Sequence, residues 1–180
     1  AALQGDLEHA AVTTREQQLH AHLVGLLTQV IKGKGTAKGY DIATSARQVY
    51  GGHGYIAEWR MEQYVRDARI AMIYEGTNGV QAMDLVGRKL AMNGGRAVQA
   101  FFKLVAEEAA AARSDEKLAA LAEGLEKALG HLQGATMWLA QNGFKNPNDV
   151  GAGAYPYMQL TGTVALGLMW LRMARAAADA

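Results

Sequence analysis

Leu118, Leu125, Leu132 and Leu139 recur at steps of seven, with Leu121 between the first two. Such a step returns each side chain to nearly the same side of an α-helix, so this segment needs other helices to cover its seam. Upstream, Leu19, Leu23, Leu26, Leu27, Val30 and Ile31 keep the three- and four-residue spacing of a core-facing stripe. Phe101, Phe102, Leu104 and Val105 fall within one further helix. Residues 155–177 are apolar nearly all round, which predicts a buried final helix, and the methionines with Trp138 and Trp170 read as core. The pattern is that of an all-α protein.

The elements between these stripes are marked by caps and glycines. Thr13-Thr14-Arg15-Glu16 fits a capping box at the start of the first stripe. Lys32-Gly33-Lys34-Gly35 is expected to end that helix. Two lysines among glycines could cradle a phosphate, but cations suit a helix C-terminus in any case. A helix over 36–50 follows, stopped by Gly51-Gly52-His53-Gly54, and then another over 60–70. There Glu62 and Arg66 stand at i,i+4, the spacing of a solvated or interface ion pair. Thr77 suits the N-cap of a helix over 78–90 that packs through Val80, Met83, Leu85 and Val86. Asn93-Gly94-Gly95 is the best internal boundary and divides the chain into 1–92 and 93–180. Ser114-Asp115 can cap the leucine-seam helix, and residues 142–153, with Pro147 and two later glycines, read as a loop.

Composition removes several classes of function. Eighteen basic against seventeen acidic residues leave a net charge of +1, which argues against a nucleic-acid or other polyanion surface. No cysteine is present, so there is no disulfide, thiolate metal site or cysteine nucleophile. His20 and His22 point to different sides of a helix while His9 and His131 stand apart, and no His/Asp/Glu set has metal-ligand spacing. No serine has a GxSxG context. The longest apolar run, near 164–171, is far short of the roughly 18 residues that a membrane span needs. The opening Ala1-Ala2-Leu3-Gln4 reads as cut from something longer rather than as a signal peptide.

Chemistry concentrates in residues 48–81, QVYGGHGYIAEWRMEQYVRDARIAMIYEGTNGVQ. Two glycine-containing turns, 51–54 and 74–77, stand about 25 residues apart across a helical segment, a layout that can converge on one bound molecule. Glu75 lies between an aromatic residue and a glycine after an apolar stretch. Partial desolvation there would make its carboxylate a better base, whereas the plain alternative is an acidic residue in a helix first turn. The residues by themselves leave those two readings even.

Three blocks in this stretch resemble the C-terminal domain of the flavin-dependent acyl-CoA dehydrogenases. They are Gln-x-x-Gly-Gly-x-Gly-Tyr at 48–55, Arg-Asp-Ala-Arg-Ile at 66–70 and Ile-Tyr-Glu-Gly-Thr at 73–77, in family order and spacing. The resemblance covers residues 1–92 closely. More loosely, 93–180 is similar to the additional C-terminal helical domain of the longer members. It implies an up-and-down four-helix bundle followed by a second small helical bundle, without the family's N-terminal helical and middle β-barrel domains.

What the resemblance implies for the site is specific. Glu75 matches the base that takes the pro-R α-proton of an acyl thioester while a hydride leaves the β-carbon for N5 of FAD, yielding trans-2-enoyl-CoA. The backbone N–H of the same residue, with a flavin ribityl hydroxyl, binds the thioester carbonyl. Tyr74 and Gly76 would line the acyl pocket. Gln48, Val49, Tyr50, Gly51 and Gly52 match the turn on the diphosphate and adenosine side of FAD, commonly that of a neighbouring subunit, and Thr77 and Asn78 match further FAD contacts. The next position, usually Glu or Gln, is Gly79 here, so one side-chain contact to the cofactor is lost or replaced. Implied partners are an acyl-CoA substrate, an electron-transfer flavoprotein and further copies of the chain as a dimer or tetramer, with 40–92 as the association face. A bacterial cytoplasmic location is implied, or else the mitochondrial matrix. An acyl-CoA oxidase of the same fold, or a non-enzymatic helical oligomerisation module, are the alternatives.

Overall fold

The computed structural model describes residues 15–143 and 145–178. The capping box at Thr13 therefore lies outside the described residues. Helices account for nearly all of the rest, and no strand occurs among the described residues. We number the α-helices α1 (Arg15–Val30), α2 (Thr36–Val49), α3 (Met61–Ile70), α4 (Asn78–Asp84), α5 (Arg96–Ala112), α6 (Ala119–Asn142) and α7 (Pro147–Ala178).

The core is built from α1, α4 and its extension, α5, α6 and α7. Leu26, Val30, Ala82, Leu85, Phe101, Val105, Leu132, Met158, Val164 and Leu168 are among its buried members. The leucine seam behaves as its spacing demands: Leu118, Leu125 and Leu132 are buried and Leu139 packs at the edge, while Leu121 is exposed. A Cβ placed on Gly167 would lie 3.1 Å from Leu125, and one on Gly153 3.9 Å from Leu139, so α7 runs antiparallel to α6. The hydroxyls of Thr136 and Tyr157 meet at 2.7 Å between the two helices. That bond satisfies a phenol whose burial pushes its pKa up. At the far end of α7, Arg172 and Arg175 both reach Glu108 of α5.

Several boundaries differ from the sequence expectation. Lys32-Gly33-Lys34-Gly35 does not end the first helix; Ile31–Gly35 forms a π-helical turn that leads directly into α2. The reason is tertiary. Gly33 is buried against α7, and a Cβ there would run into the Met158 thioether, so the glycine serves close packing. Next to it, the stem of Lys34 covers Gly162. Ser114 and Asp115 do not cap α6. Asp115 instead accepts from the Lys117 N–H in a turn that ends at Leu118, which stands at the N-cap position without a side-chain cap. The loop expected over 142–153 does not extend that far, because α6 runs to Asn142 and Pro147 takes the first position of α7, where its missing N–H costs nothing. The helix expected to run from 78 to 90 is α-helical only as far as Asp84 and continues as a second π turn, Leu85–Lys89. The turn at Asn93-Gly94-Gly95 forms as expected, all three residues having positive φ.

The final helix is not buried all round. Leu166, Met169, Trp170 and Met173 follow one another at helical spacing on an exposed face, with Trp170 65% accessible. Trp138 and Met137 are exposed as well, so these residues are surface rather than core. An all-apolar sequence fails to predict burial here because only one side of α7 meets α5 and α6; no described element covers the other. Val80 and Met83 are likewise exposed, leaving Leu85 and Val86 to pack. Helices α2 and α3 contribute no buried residue to the core.

Polar contacts tie α4 to α1. Arg88 donates to both carboxylate oxygens of Asp84, at 2.6 and 2.7 Å, and Gln29 donates to one of them at 2.8 Å. The Arg88 hydrogen bonds hold the Asp84 carboxyl below the usual carboxylate range. No described helix is long and apolar enough to cross a membrane.

Two stability measurements follow from this packing. Leu132→Ala should cost ~2–5 kcal/mol in chemical denaturation, whereas Trp170→Ala should cost under ~1 kcal/mol, reversing the order that a core tryptophan would give. Because the folded pKa of Asp84 is depressed, its contribution is present above the unfolded value and fades as pH falls through the folded one. Asp84→Asn should therefore lower stability by about 0.5–1 kcal/mol at pH 7, the gap closing below about pH 4 in parallel melts.

Candidate functional site

The first turn caps the outer end of α2. Gln48, Val49, Tyr50, Gly51 and Gly52 are all exposed, Val49 at 86% and Tyr50 at 51%. Gly51 has a φ of 57°, and a Cβ on either Gly51 or Gly52 would meet nothing within 4 Å. The turn is held from within, by Tyr55 N–H to the Gly52 carbonyl at 3.1 Å and by an edge-on His53–Trp59 contact at 5.3 Å. Its surface is thus bare backbone flanked by apolar side chains.

Arg60, with a φ of 57°, precedes α3 rather than starting it, and returns the chain beside α2. The expected Glu62–Arg66 ion pair does not form among the described residues. Asp67 instead accepts from Gln63 at 2.7 Å, and Arg69 lies over the Tyr40 ring at 5.4 Å. Arg47, Arg66, Arg69, Glu62, Tyr40 and Tyr55 line an open cleft of about 890 Å³ between the two helices.

The second turn is built more tightly. Glu75 has a φ of 56° and Gly76 one of 86°. An L side chain enters this left-handed region at a cost, and Glu75 does so without being glycine, asparagine or aspartate. Contacts from behind hold it there. Gln81 donates to the Glu75 carbonyl at 3.1 Å, and the Asn78 N–H bonds the Met72 carbonyl at 3.2 Å. The Thr77 hydroxyl accepts from Val80 N–H at 3.3 Å, the N-cap expected from sequence. Gly76 is needed both for its φ and for room, since a Cβ there would lie 2.9 Å from the Gln81 amide.

The side chain of Asn78 turns inward. It is 6% exposed; its amide donates to the Gly33 carbonyl at 3.0 Å, and its carbonyl accepts from Thr36 at 3.1 Å and Lys32 at 3.4 Å. The Lys32 ammonium also lies 6.0 Å from the centre of the Tyr74 ring. The π turn and the second turn are therefore one structure. Lys32 and Gln81 belong to it, and sequence reasoning missed both as turn supports. The signal available was weak: a lysine among glycines, and a glutamine six residues after the acid.

Facing outward are Tyr74 and Glu75, both exposed. The desolvation expected for Glu75 is not supplied by this chain. Its backbone N–H donates to no backbone carbonyl among the described residues. One exposed residue thus carries both a carboxylate acceptor and a donor not engaged by a backbone carbonyl among the described residues. No hydrogen bond or ring contact joins this turn to residues 48–54; each is anchored separately. Gly79 is open, a Cβ there meeting only the Thr77 hydroxyl at 3.8 Å.

An all-helical scaffold that presents a strained acidic turn and a bare glycine turn on one outer limb defines the class of this chain. Residues 5–91 match the family described as acyl-CoA dehydrogenase, C-terminal domain, and residues 97–180 the one described as acetyl-CoA dehydrogenase C-terminal like. Among similar proteins, 3-methylmercaptopropionyl-CoA dehydrogenase of Ruegeria pomeroyi is 38% identical over 149 residues, covering 78% of this chain and 24% of that protein. The broad-specificity linear acyl-CoA dehydrogenase FadE5 of Mycobacterium tuberculosis is 30% identical over 161 residues, 86% of this chain and 26% of its own length. A caffeyl-CoA reductase-Etf complex subunit, CarC of Acetobacterium woodii, is 46% identical over 50 residues, 28% of this chain and 13% of its own. The chain belongs to the acyl-CoA dehydrogenase family and corresponds to its C-terminal domains. It spans about a quarter of the length of the first two of these relatives.

Gly76→Ala tests the second turn directly. Strain at positive φ together with the Gln81 contact should destabilise the protein by about 1–3 kcal/mol in urea denaturation, while Gly79→Ala should change it by less than about 1 kcal/mol.

Proposed function

We propose that this chain supplies the base and one edge of the cofactor site of a flavin-dependent acyl-CoA dehydrogenase acting on an acyl-CoA thioester. The observation that carries the reading is Glu75: its carboxylate is exposed, its N–H has no backbone acceptor among the described residues, and its backbone is held at positive φ from behind. A thioester carbonyl set on that N–H brings the α-carbon next to the carboxylate. The donor stabilises the negative charge that develops on oxygen as the α-proton leaves. Glu75 takes that proton, and Tyr74 and Gly76 border the acyl group. Substrate lying over the turn supplies the desolvation that strengthens the base. Bound FAD supplies the acceptor for the β-hydride, which completes the oxidation to the trans-2-enoyl thioester.

The first turn fits a flavin nucleotide lying across it. Val49 and Tyr50 offer apolar surface, and Gly51 and Gly52 leave the backbone open to close approach, with Gln48 beside them. Thr77 lies at the exposed rim of the second turn and Asn78 beneath it, its side chain engaged inward and its N–H bonded to the Met72 carbonyl. Ile42, Tyr55, Trp59, Tyr64 and Ile70 leave the α2–α3 limb with a wide apolar surface. That surface supports a site completed by further copies of the chain and by the rest of the enzyme, with 1–92 and 93–180 as its two helical units. The Etf-complex relative supports an electron-transfer flavoprotein as the acceptor.

In the full-length enzyme, Glu75→Gln should keep its flavin and lose acyl-CoA dehydrogenation by roughly 10²–10⁴-fold or more. Anaerobic mixing with a saturated acyl-CoA reads this as flavin bleaching. Bleaching of the variant at close to the wild-type rate would remove Glu75 from the mechanism.

A further inference from the structure

Lys32 stands on the π turn, half-buried, where sequence alone assigns it to an ordinary helix end. Its ammonium lies 3.4 Å from the Asn78 carbonyl oxygen and 6.0 Å from the Tyr74 ring centre. Tyr74 and Asn78 are the residues that flank the strained segment 75–77. A single cation therefore bonds one flank of the turn that presents Glu75 and stands at the outer limit of cation–π range from the other. An ammonium has donors only, which suits the two partners it finds: a carbonyl lone pair and the electron-rich face of a ring. Lys34, two positions on, does something else; its stem packs on Gly162 and its ammonium reaches the Thr163 hydroxyl at 3.5 Å. Nor is Lys32 needed for the core, whose members at this level are Val30, Gly33 and Met158.

We propose that Lys32 is a positioning residue for the reaction at Glu75, an inference that rests on the reading of Glu75 as the base. Lys32 does not touch the acyl thioester and moves no proton. It fixes Tyr74 and Asn78 relative to one another. The Glu75 carboxylate and N–H between them then face the substrate in one geometry. Without the cation Asn78 keeps its bonds to Gly33, Thr36 and the Met72 carbonyl and Tyr74 its backbone bond to Ile70, but the Tyr74 ring loses the one side-chain partner it has among the described residues. A displacement of about 1 Å at a reacting group can cost on the order of 100-fold in rate, so a loosened turn should show in turnover rather than in affinity.

The test uses the full-length flavin-loaded enzyme, a saturated straight-chain acyl-CoA and a dye electron acceptor. Lys32→Met keeps the apolar stem and removes the charge. The expected result is a fall in kcat of roughly 10- to 100-fold, with KM, flavin content and thermal midpoint close to wild type. Lys32→Arg, whose planar cation stacks on a ring and still donates to a carbonyl, should recover most of the loss. A Lys32→Met enzyme with kcat within twofold of wild type overturns the proposal. So does a loss that tracks missing flavin or a lowered midpoint and is not rescued by arginine, which would mark Lys32 as merely structural. Glu75→Gln run alongside separates the two readings: if it is inactive while Lys32→Met is normal, only the positioning role fails. If Glu75→Gln retains turnover, the assignment of the base fails and the role of Lys32 goes with it.

Discussion

One buried carboxamide ties the functional turn to the scaffold. Asn78 donates to the Gly33 carbonyl and accepts from Thr36 and Lys32, so a residue at the start of α4 is bonded to three positions on the turn between α1 and α2. A buried amide wholly without partners costs about 1–3 kcal/mol, and the Gly33 and Thr36 bonds keep this one satisfied even without the Lys32 contact. The π turn is what makes it possible. By widening the helix for one turn it offers the Gly33 carbonyl and the Lys32 and Thr36 side chains to the same point. Gly33 can sit there only because it lacks a side chain to collide with Met158 of α7. The acidic turn is thereby referenced, through one amide and one glycine, to the buried face of α7.

The molecule divides its labour in a way that suits this anchoring. Helices α1, α5, α6 and α7 with the α4 region hold the core, while α2 and α3 have no buried residue and the stretch 36–74 that contains them carries most of the exposed aromatic and branched residues. Both glycine turns occur on this outer limb or where it joins the core. A rigid body with functional loops at its margin is a common solution, because the scaffold then absorbs the strain that the loops require. Here that strain is visible in Glu75 and Gly76, and its restraint in Gln81, Thr77 and Asn78. Exposure of the Glu75 carboxylate is consistent with a site finished by other parts of a larger assembly, in which substrate and neighbouring surfaces exclude the water.

Much was legible from the residues alone. Heptad spacing at Leu118, Leu125 and Leu132 specified a packed helical seam, since a seven-residue step returns to the same helix side whatever lies opposite. Thr77 announced its helix start because the cap is a local bond between residues three apart. The glycine turns announced themselves because positive φ is a property of the backbone at one position, and Gly51, Gly76, Gly94 and Gly95 all show it. Local chemistry of this kind is written within a few residues and needs no partner to be read. The family resemblance favours the base over a helix-capping acid at residues 73–77, a choice that the residues by themselves leave even.

Decisions involving residues far apart in the chain were not legible. Lys32-Gly33-Lys34-Gly35 carries every local mark of a helix end, yet it continues, because Met158 and Asn78 reward a glycine-rich turn that stays helical. Trp170, Met169 and Met173 are apolar enough for any core, yet they lie on a face of α7 that no other described helix meets. Hydrophobicity states what a side chain gains if it is covered; only the arrangement of the other helices decides whether it is. The sequence by itself therefore determined the leucine seam, the Thr77 cap and the positive-φ glycine turns. The tertiary structure alone decided which lysine stands behind the acidic turn, since a contact across 46 positions has no periodicity by which it could be foreseen.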